Sequence, residues 1–596
     1  MTRKQAWAAV TTLCCAAGFY LRWLNAHADL ASPGIDENDV VQQGVAFMGG
    51  EWQYRQFGYG ALPMYSLAAL YHVVAWLRGL SASEYAARVF FDGAEHYLLG
   101  RMFCAACYLP LAIASYRVLA PRFGRAAGAV SACLLASPCV DLLTHSLVRV
   151  DVVQGACQVG AVLFLVAALD AKSWRAWIGA GVCAGWAIAC KPLPGLLVLP
   201  CFFAASWFAS ASEAPAADSG LQQGAARWKA PLVSLGARSL RTLARPGLWV
   251  ALSAAVVAQF LVNPTSLELR AFVTNQFETA AYYSGPNAPG AHLTAFSALE
   301  ALGWPFCAAA GLAVLLLPFV RDARARLIGL FPLVYVTAFW GRPVRTYYMA
   351  APAAAFCVLI GIWLGIVLCG LGWDAPTADV SGSPRAAAPS VRAQALSVAL
   401  GLAALVGVAW LPSSSLDESR RVISTYTLAR DWIHEHIPSG TALFHYGRFS
   451  HGPRLVTSDW KAESEWADFF DYGRSGYRFY DAAARKAYAD YRSQGRPWYA
   501  IESFRSPPEP APKLQRRWLG KSLAERASER GQQYIILAGM RTDNGDYRQL
   551  GYSWFDQVEL AQQFRDIAIF RVLPPAPPSG GAPAPGAALA GKDAGG

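Results

Sequence analysis

The chain has 596 residues, of which 55% are hydrophobic and only 15% charged, with a net charge of +11. A soluble domain carries roughly 25% charged residues, so this composition excludes a soluble globular protein over most of the length. The basic residues sit in connections between apolar runs, where they report membrane topology rather than a nucleic-acid surface.

In chain order, apolar runs recur near 6–24, 97–118, 126–144, 152–170, 174–190, 192–210, 247–263, 298–319, 327–341, 349–371 and 394–412. Most are long enough to cross a hydrocarbon core of about 30 Å. The first run follows Arg3 and Lys4 and ends at Tyr20, Arg22 and Trp23, with no small-residue cleavage site. It reads as an uncleaved helix with an interfacial end, not a signal peptide. All 13 cysteines lie between Cys14 and Cys369, in or beside apolar runs, so no disulfide framework is expected. Cys104 and Cys107 form a CxxC inside a predicted helix and read as small packing residues.

Alternate connections are basic: Arg3 and Lys4; Arg117, Arg122 and Arg125; Lys172 and Arg175; Arg227 to Arg245; Arg321, Arg324 and Arg326. The positive-inside rule then places the N-terminus in the cytosol and everything after 412 outside. The segment 62–80 reads as an amphipathic interfacial helix, with a twelfth span as the alternative. The cytosolic loop is 211–246, and 211–224 reads as a linker. Residues 413–575 alternate a helix over 419–438 with strands at "TALFHY", "PWYAIESF", "QYIILAG" and "DIAIFRVL", the pattern of a small α/β domain. The Pro/Gly/Ala tail 576–596 reads as disordered. The expected fold is a polytopic α-helical membrane protein of about eleven spans with a C-terminal extracytoplasmic α/β domain.

Each outward connection of residues 1–412 carries an unusual polar group. The first, 25–96, holds Asp36, Glu37, Asp39, Tyr54, Arg55 and Tyr59; the second holds His145, Arg149 and Asp151. Lys191 stands alone at the third, Asn263, Glu268 and Arg270 at the fourth, and Arg342, Arg345, Tyr347 and Tyr348 at the fifth. Any one of these sets reads as snorkelling or interfacial anchoring. Five sets on one face, of mixed sign, point to an outward cleft where an acid deprotonates a hydroxyl and basic groups meet a phosphate. A transporter or flippase of lipid-linked saccharides, or a non-enzymatic sensor, is the alternative. Against a transporter stand the absence of an internal repeat and the gathering of charges at one face.

Four stretches carry a family resemblance: "IDENDVVQQGVAFMGGEWQYRQFGYGALPMYSLAAL", "LLTHSLVRVDVV", "GWAIACKPLPGLLVLP" and "RTYYMAAPAAAF". In this order, over roughly residues 1–370, they resemble the GT-C membrane glycosyltransferases. The similarity is to the branch with the protein O-mannosyltransferases and the lipid A aminoarabinose transferase. The resemblance implies inverting transfer of a monosaccharide from a polyprenyl-phosphate donor to a lipid, glycan or protein acceptor at the outer face. It makes Asp36 the base and Glu37 its support, and associates Asp151 with the donor's phosphate or sugar or with a metal. Lys191 and Arg345 are candidates for the leaving phosphate; Tyr347, Tyr59, Arg149 and His145 complete the expected substrate-binding set. No cofactor is required by this reading, and a divalent metal at Asp151 and Glu37 stays open. Two departures affect the acceptor: "YGALP" stands where the family often has Tyr-Pro-Pro-Leu, and Asp39 is an added acid. Ala-rich, Arg-over-Lys usage suggests a bacterial inner membrane, with undecaprenyl phosphate as the carrier.

Overall fold

The computed structural model describes residues 3–26, 35–49, 61–90, 93–137, 148–171, 173–212, 238–268, 304–320, 322–340, 346–370, 427–447, 455–456, 474–504, 531–538, 558–564 and 567–573, with 270, 273–274, 276–277 and 528. Two compact units divide the chain. One is Met1–Arg421 with Ser464–Tyr488, and the other is Val422–Glu463 with Ala489–Gly596.

The first unit is helical. Its helices are α1 (Arg3–Ala26), α2 (Ile35–Met48), α3 (Leu62–Leu77), α4 (Ala82–Ala87), α5 (Ala94–Ala106), α6 (Tyr108–Phe123), α7 (Arg125–Ala136), α8 (Val150–Ala171) and α9 (Trp174–Cys190). They continue as α10 (Leu199–Ser212), α11 (Pro246–Val262), α12 (Trp304–Leu316), α13 (Ala323–Phe339) and α14 (Ala350–Gly370). Helices occupy the first ten predicted runs; the run at 394–412 lies outside the described residues. By length and composition, Ala94–Phe123, Val150–Leu169, Pro192–Ser210 and Ala350–Val367 are long and apolar enough to cross a membrane. Leu62–Leu77, Arg125–Ala136, Pro246–Val262 and Phe306–Leu316 are apolar but shorter. Helix α3, the segment read as interfacial or as a twelfth span, has 16 residues and is one of these shorter apolar helices. It buries Met64, Leu67 and Tyr71 and exposes Trp76 and Leu77.

At the end of α1, Tyr20 and Trp23 are exposed, but Arg22 departs from the interfacial reading. Arg22 is 2% exposed. Its guanidinium donates to the carbonyls of Leu135, Ala136 and Ser137 at 2.8–2.9 Å and lies over the Tyr108 ring at 4.5 Å. The last carbonyls of a helix lack intrahelical donors, and a five-donor fork is suited to gathering several of them. Arg22 therefore caps α7 inside the protein rather than anchoring α1 in lipid headgroups.

Helices α9 and α11 lie in close contact because both present small residues. A Cβ on Gly181 would stand 2.1 Å from the Ala251 carbonyl oxygen, and one on Gly185 2.3 Å from that of Ala255. The two contacts advance together by four residues, so α9 and α11 run parallel. Small-xxx-small spacing of this kind is how helices approach closely where apolar burial gives no drive.

The second unit is a mixed five-stranded sheet. Its strands are β1 (Ala442–Gly447), β2 (Ala500–Phe504), β3 (Tyr534–Ala538), β4 (Val558–Phe564) and β5 (Ile567–Val572), in the order β2-β1-β3-β5-β4. β1 pairs in parallel with β2 and β3; β5 pairs antiparallel with β3 and β4. The sheet core joins Leu443, Ile536, Ile567 and Ile569 to Ala429, Ile433 and Ile437. Those last three recur every four residues on one face of helix α15 (427–436) and the turn after it. Gly440 ends that turn at φ +87 and donates its N–H to the Trp498 carbonyl at 2.7 Å. Helix α16 (Arg474–Ser493) precedes β2 in the chain, and its residues up to Tyr488 belong to the first unit; neither it nor β4 was expected from the sequence.

Candidate functional site

Two buried ion pairs meet the chain at one segment, Val148–Asp151. In the first, Glu37 of α2 faces Arg101 of α5. Arg101 donates through Nε to Oε1 at 2.7 Å and through Nη2 to Oε2 at 2.9 Å. The Val148 N–H adds a donor to Oε1 at 3.2 Å, and Arg101 Nη1 reaches the Ala26 carbonyl at 3.3 Å. Glu37 is fully buried and Arg101 is 4% exposed. This is the paired-fork geometry that makes arginine–carboxylate contacts strong. One carboxylate thus ties together α2, α5 and the chain entering α8, while the Arg101 fork also reaches the end of α1.

The second pair is Lys191 Nζ to Asp151 Oδ1 at 3.0 Å, with both side chains buried. Asp151 occupies the first turn of α8, where the helix dipole favours an anion. Lys191 stands where α9 stops. Pro192 follows it, and a residue before proline is forced out of the helical region; Lys191 is extended at φ −156, ψ 104. The turn Pro192–Gly195 folds back, with Gly195 N–H donating to the Lys191 carbonyl at 2.9 Å. The ammonium lies 3.7 Å from the centre of the Tyr348 ring, a cation–π contact. Tyr348 begins an aromatic file through Phe339 to Tyr335, with centroids 5.3 and 5.1 Å apart.

The remaining expected residues fall as follows. Asp36 and Asp39 lie in α2 by backbone, Asp36 in its first turn; their side chains lie outside what the structure describes. Arg149 is half-buried, and its carbonyl accepts from Cys104 Sγ at 3.8 Å. Tyr347 belongs to the turn Thr346–Met349 by backbone alone. Tyr59, His145 and Arg345 lie outside the described residues. Arg101 was missed by the sequence reading. Its signal was a charge in the middle of an apolar run, which is costly and tends to be paired.

A divalent metal does not fit Glu37 and Asp151 as they stand. Each carboxylate already faces a cation at 3.0 Å or less. The described residues contain no group of three or more His, Cys, Asp or Glu side chains able to hold a metal ion.

Residues 86–217, which contain Arg101, Arg149, Asp151 and Lys191, match the family model for dolichyl-phosphate-mannose-protein mannosyltransferase. The resemblance read from the sequence is thus shared with a family model over that segment. A search of curated proteins gives no match. Among solved structures, the chain is similar to ArnT from Cupriavidus metallidurans bound to undecaprenyl phosphate. Identity is 14%, coverage 94% of this chain and 97% of that one, and the TM-score 0.45. It is also similar to the apo oligosaccharyltransferase of Archaeoglobus fulgidus, at 13% identity, with 90% and 70% covered and a TM-score of 0.48. A third is that organism's AglB with an inhibitory peptide and dolichol-phosphate, at 14% identity, 90% and 69% covered, TM-score 0.46.

Proposed function

We propose that this protein is an integral-membrane glycosyltransferase of the GT-C type. It transfers a monosaccharide, with inversion, from a polyprenyl-phosphate donor to a lipid, glycan or protein acceptor at the outer face of the cytoplasmic membrane. The observation that supports this best is the convergence of the Glu37–Arg101 and Asp151–Lys191 pairs on Val148–Asp151, within a segment that matches a lipid-phosphate mannosyltransferase family.

The residues divide the work. Both Glu37 oxygens are taken by Arg101, which leaves this carboxylate to fix α2 rather than to accept a proton. Asp36, its neighbour in the first turn, is then the base. It takes the proton of the acceptor hydroxyl as that oxygen attacks the anomeric carbon. The bond from that carbon to the phosphate oxygen breaks, and polyprenyl phosphate leaves with the electron pair. Lys191 spends its charge on Asp151, so it orients that acid. Arg149, two residues before Asp151, and Arg345 meet the leaving phosphate, with His145, Tyr59 and Tyr347 around the substrate.

Purified protein in lipid bilayers, given undecaprenyl-phosphate sugars and envelope extract, should release undecaprenyl phosphate and label a glycolipid or glycoprotein. The same product should vanish from the envelope of a deletion strain by mass spectrometry. A deletion strain with an unchanged set of envelope glycans, alongside purified protein that releases no carrier, would remove the proposal.

A further inference from the structure

The end of the bundle that holds Asp151 and Lys191 also buries amides that, among the described residues, lack some or all of their hydrogen-bond partners. Asp151, Gln154 and Gln158 recur at i, i+3 and i+7 along α8, the spacing of one helix face. Gln154 is 1% exposed and Gln158 fully buried. Among the described residues, neither amide atom of Gln154 has a hydrogen-bond partner. Gln158 donates from Nε2 to the Pro194 carbonyl at 2.7 Å, and its Oε1 has no partner. Gln259 of α11, 7% exposed, has neither amide atom satisfied among the described residues. Because α9 and α11 run parallel with Gly185 against Ala255, Gln259 lies level with the end of α9 that leads into Lys191.

Unmet amides in a packed apolar setting destabilise a protein, and an apolar residue in the same place removes the penalty. Their chemistry limits what they serve. Lys191 and Asp151 cancel one another, so this pair offers no net charge to draw in a phosphate. Gln158 Oε1 only accepts, which disfavours a phosphate oxygen and suits an O–H. Gln154 offers donors and an acceptor side by side. Neighbouring hydroxyls of a sugar ring are each donor and acceptor, and match that set.

We propose that Gln154 and Gln158 form a hydroxyl-binding subsite for the sugar of the lipid-linked donor, a proposal that rests on the glycosyltransferase reading above.

The test uses the full chain in lipid nanodiscs and two kinds of probe: undecaprenyl phosphate, and a panel of undecaprenyl-phosphate hexoses and pentoses. Wild-type protein should bind at least one sugar lipid more tightly than the bare carrier. Gln154→Met should weaken that sugar lipid about ten-fold, leave the bare carrier unchanged, and hold or raise the melting temperature. Gln154→Asn, which keeps the amide but withdraws it by one methylene, should do the same to affinity and is the second variant if Gln154→Met does not fold. Unchanged affinity for every probe in both variants would mean a structural amide satisfied by water, and would overturn the subsite. Equal weakening of the bare carrier would assign the glutamine to phosphate instead. A wild-type protein with no preference for any sugar lipid over the bare carrier also overturns the subsite. A wild-type protein that binds neither kind of lipid overturns the glycosyltransferase reading itself.

Discussion

In the helical unit, Glu37 and Asp151 are buried against Arg101 and Lys191; in the sheet unit, His445 of β1 is buried as a neutral ring. Burial disfavours the charged imidazole and pushes the His445 pKa down to about 4. The helical unit therefore needs a partner for every charge. The sheet unit needs only a pH at which the ring stays uncharged. Paired charges are kept at a cost in desolvation, so they mark a place where charge is used. A neutral buried histidine is compatible with a purely structural position. The proposed chemistry belongs to the helical unit, and the following changes test that contrast in descending order of effect.

Glu37→Gln or Arg101→Ala should have the largest consequence. Breaking a buried ion pair by removing one partner costs about 3–5 kcal/mol, and here α2, α5 and the entry to α8 lose their common tie. Thermal unfolding in detergent should show the loss. Arg101→Lys should recover little of it, because lysine lacks the two-pronged fork. Full recovery by lysine would mean that charge alone, not geometry, holds α2.

Lys191→Met should cost less, about 3 kcal/mol, since its contact with Asp151 is one hydrogen bond rather than a fork, the cation–π contact with Tyr348 is a smaller addition, and Asp151 keeps the helix dipole. The double change Asp151→Asn with Lys191→Met should regain most of the stability and none of the sugar transfer. Restoration of both by the double variant would make this pair structural and erase the distinction from the sheet unit.

His445 gives the opposite behaviour. Above pH 6.5 the ring is neutral in folded and unfolded chains and has no effect on stability. As pH falls from 6.5 towards 4, the unfolded chain takes up a proton that the folded sheet refuses. Stability of the sheet unit should fall across that window, by no more than about 3 kcal/mol, and level off below it. His445→Phe should remove most of the dependence, as read by urea unfolding at pH 7.5 and 5, leaving the smaller part due to His434, whose ring burial also holds its pKa down. A pH response that persists undiminished in the variant would place its origin elsewhere.

The smallest effect belongs to Tyr348→Leu. It removes the ring beneath Lys191 and should cost about 0.5–2 kcal/mol, with a larger change in donor KM than in stability. The reverse order would reduce Tyr348 to packing.

Most of the helical architecture was legible because long apolar runs and basic connections are written directly in composition. The strands β1, β2, β3 and β5 were legible for the same reason, as short apolar runs between turn residues. β4 was not, because "VELAQQF" is an edge strand, paired on one side and largely exposed, and such strands need no apolar signal. Helix α16 was missed because its polar, arginine-rich sequence lacks the apolar runs by which the other elements were found. At the site, the acids and Lys191 were visible as charges out of place. The partner of Glu37 was not, because Arg101 was lost inside an apolar run, and away from the site the buried role of Arg22 was hidden because it looked like an interfacial residue. Sequence shows that a buried charge must have a partner; only the fold shows which one it has.

The central claim is that Asp36 is the base and that Glu37–Arg101 places it. Sugar transfer by purified protein in lipid, with donor binding measured separately, tests it most directly in Asp36→Asn and Asp39→Asn. General base catalysis is worth about 10²–10⁴-fold. Asp36→Asn should lose transfer on that scale while binding donor normally and melting as wild type does, and Asp39→Asn should lose little. Near-normal transfer by Asp36→Asn, or a loss confined to Asp39→Asn, would contradict the account.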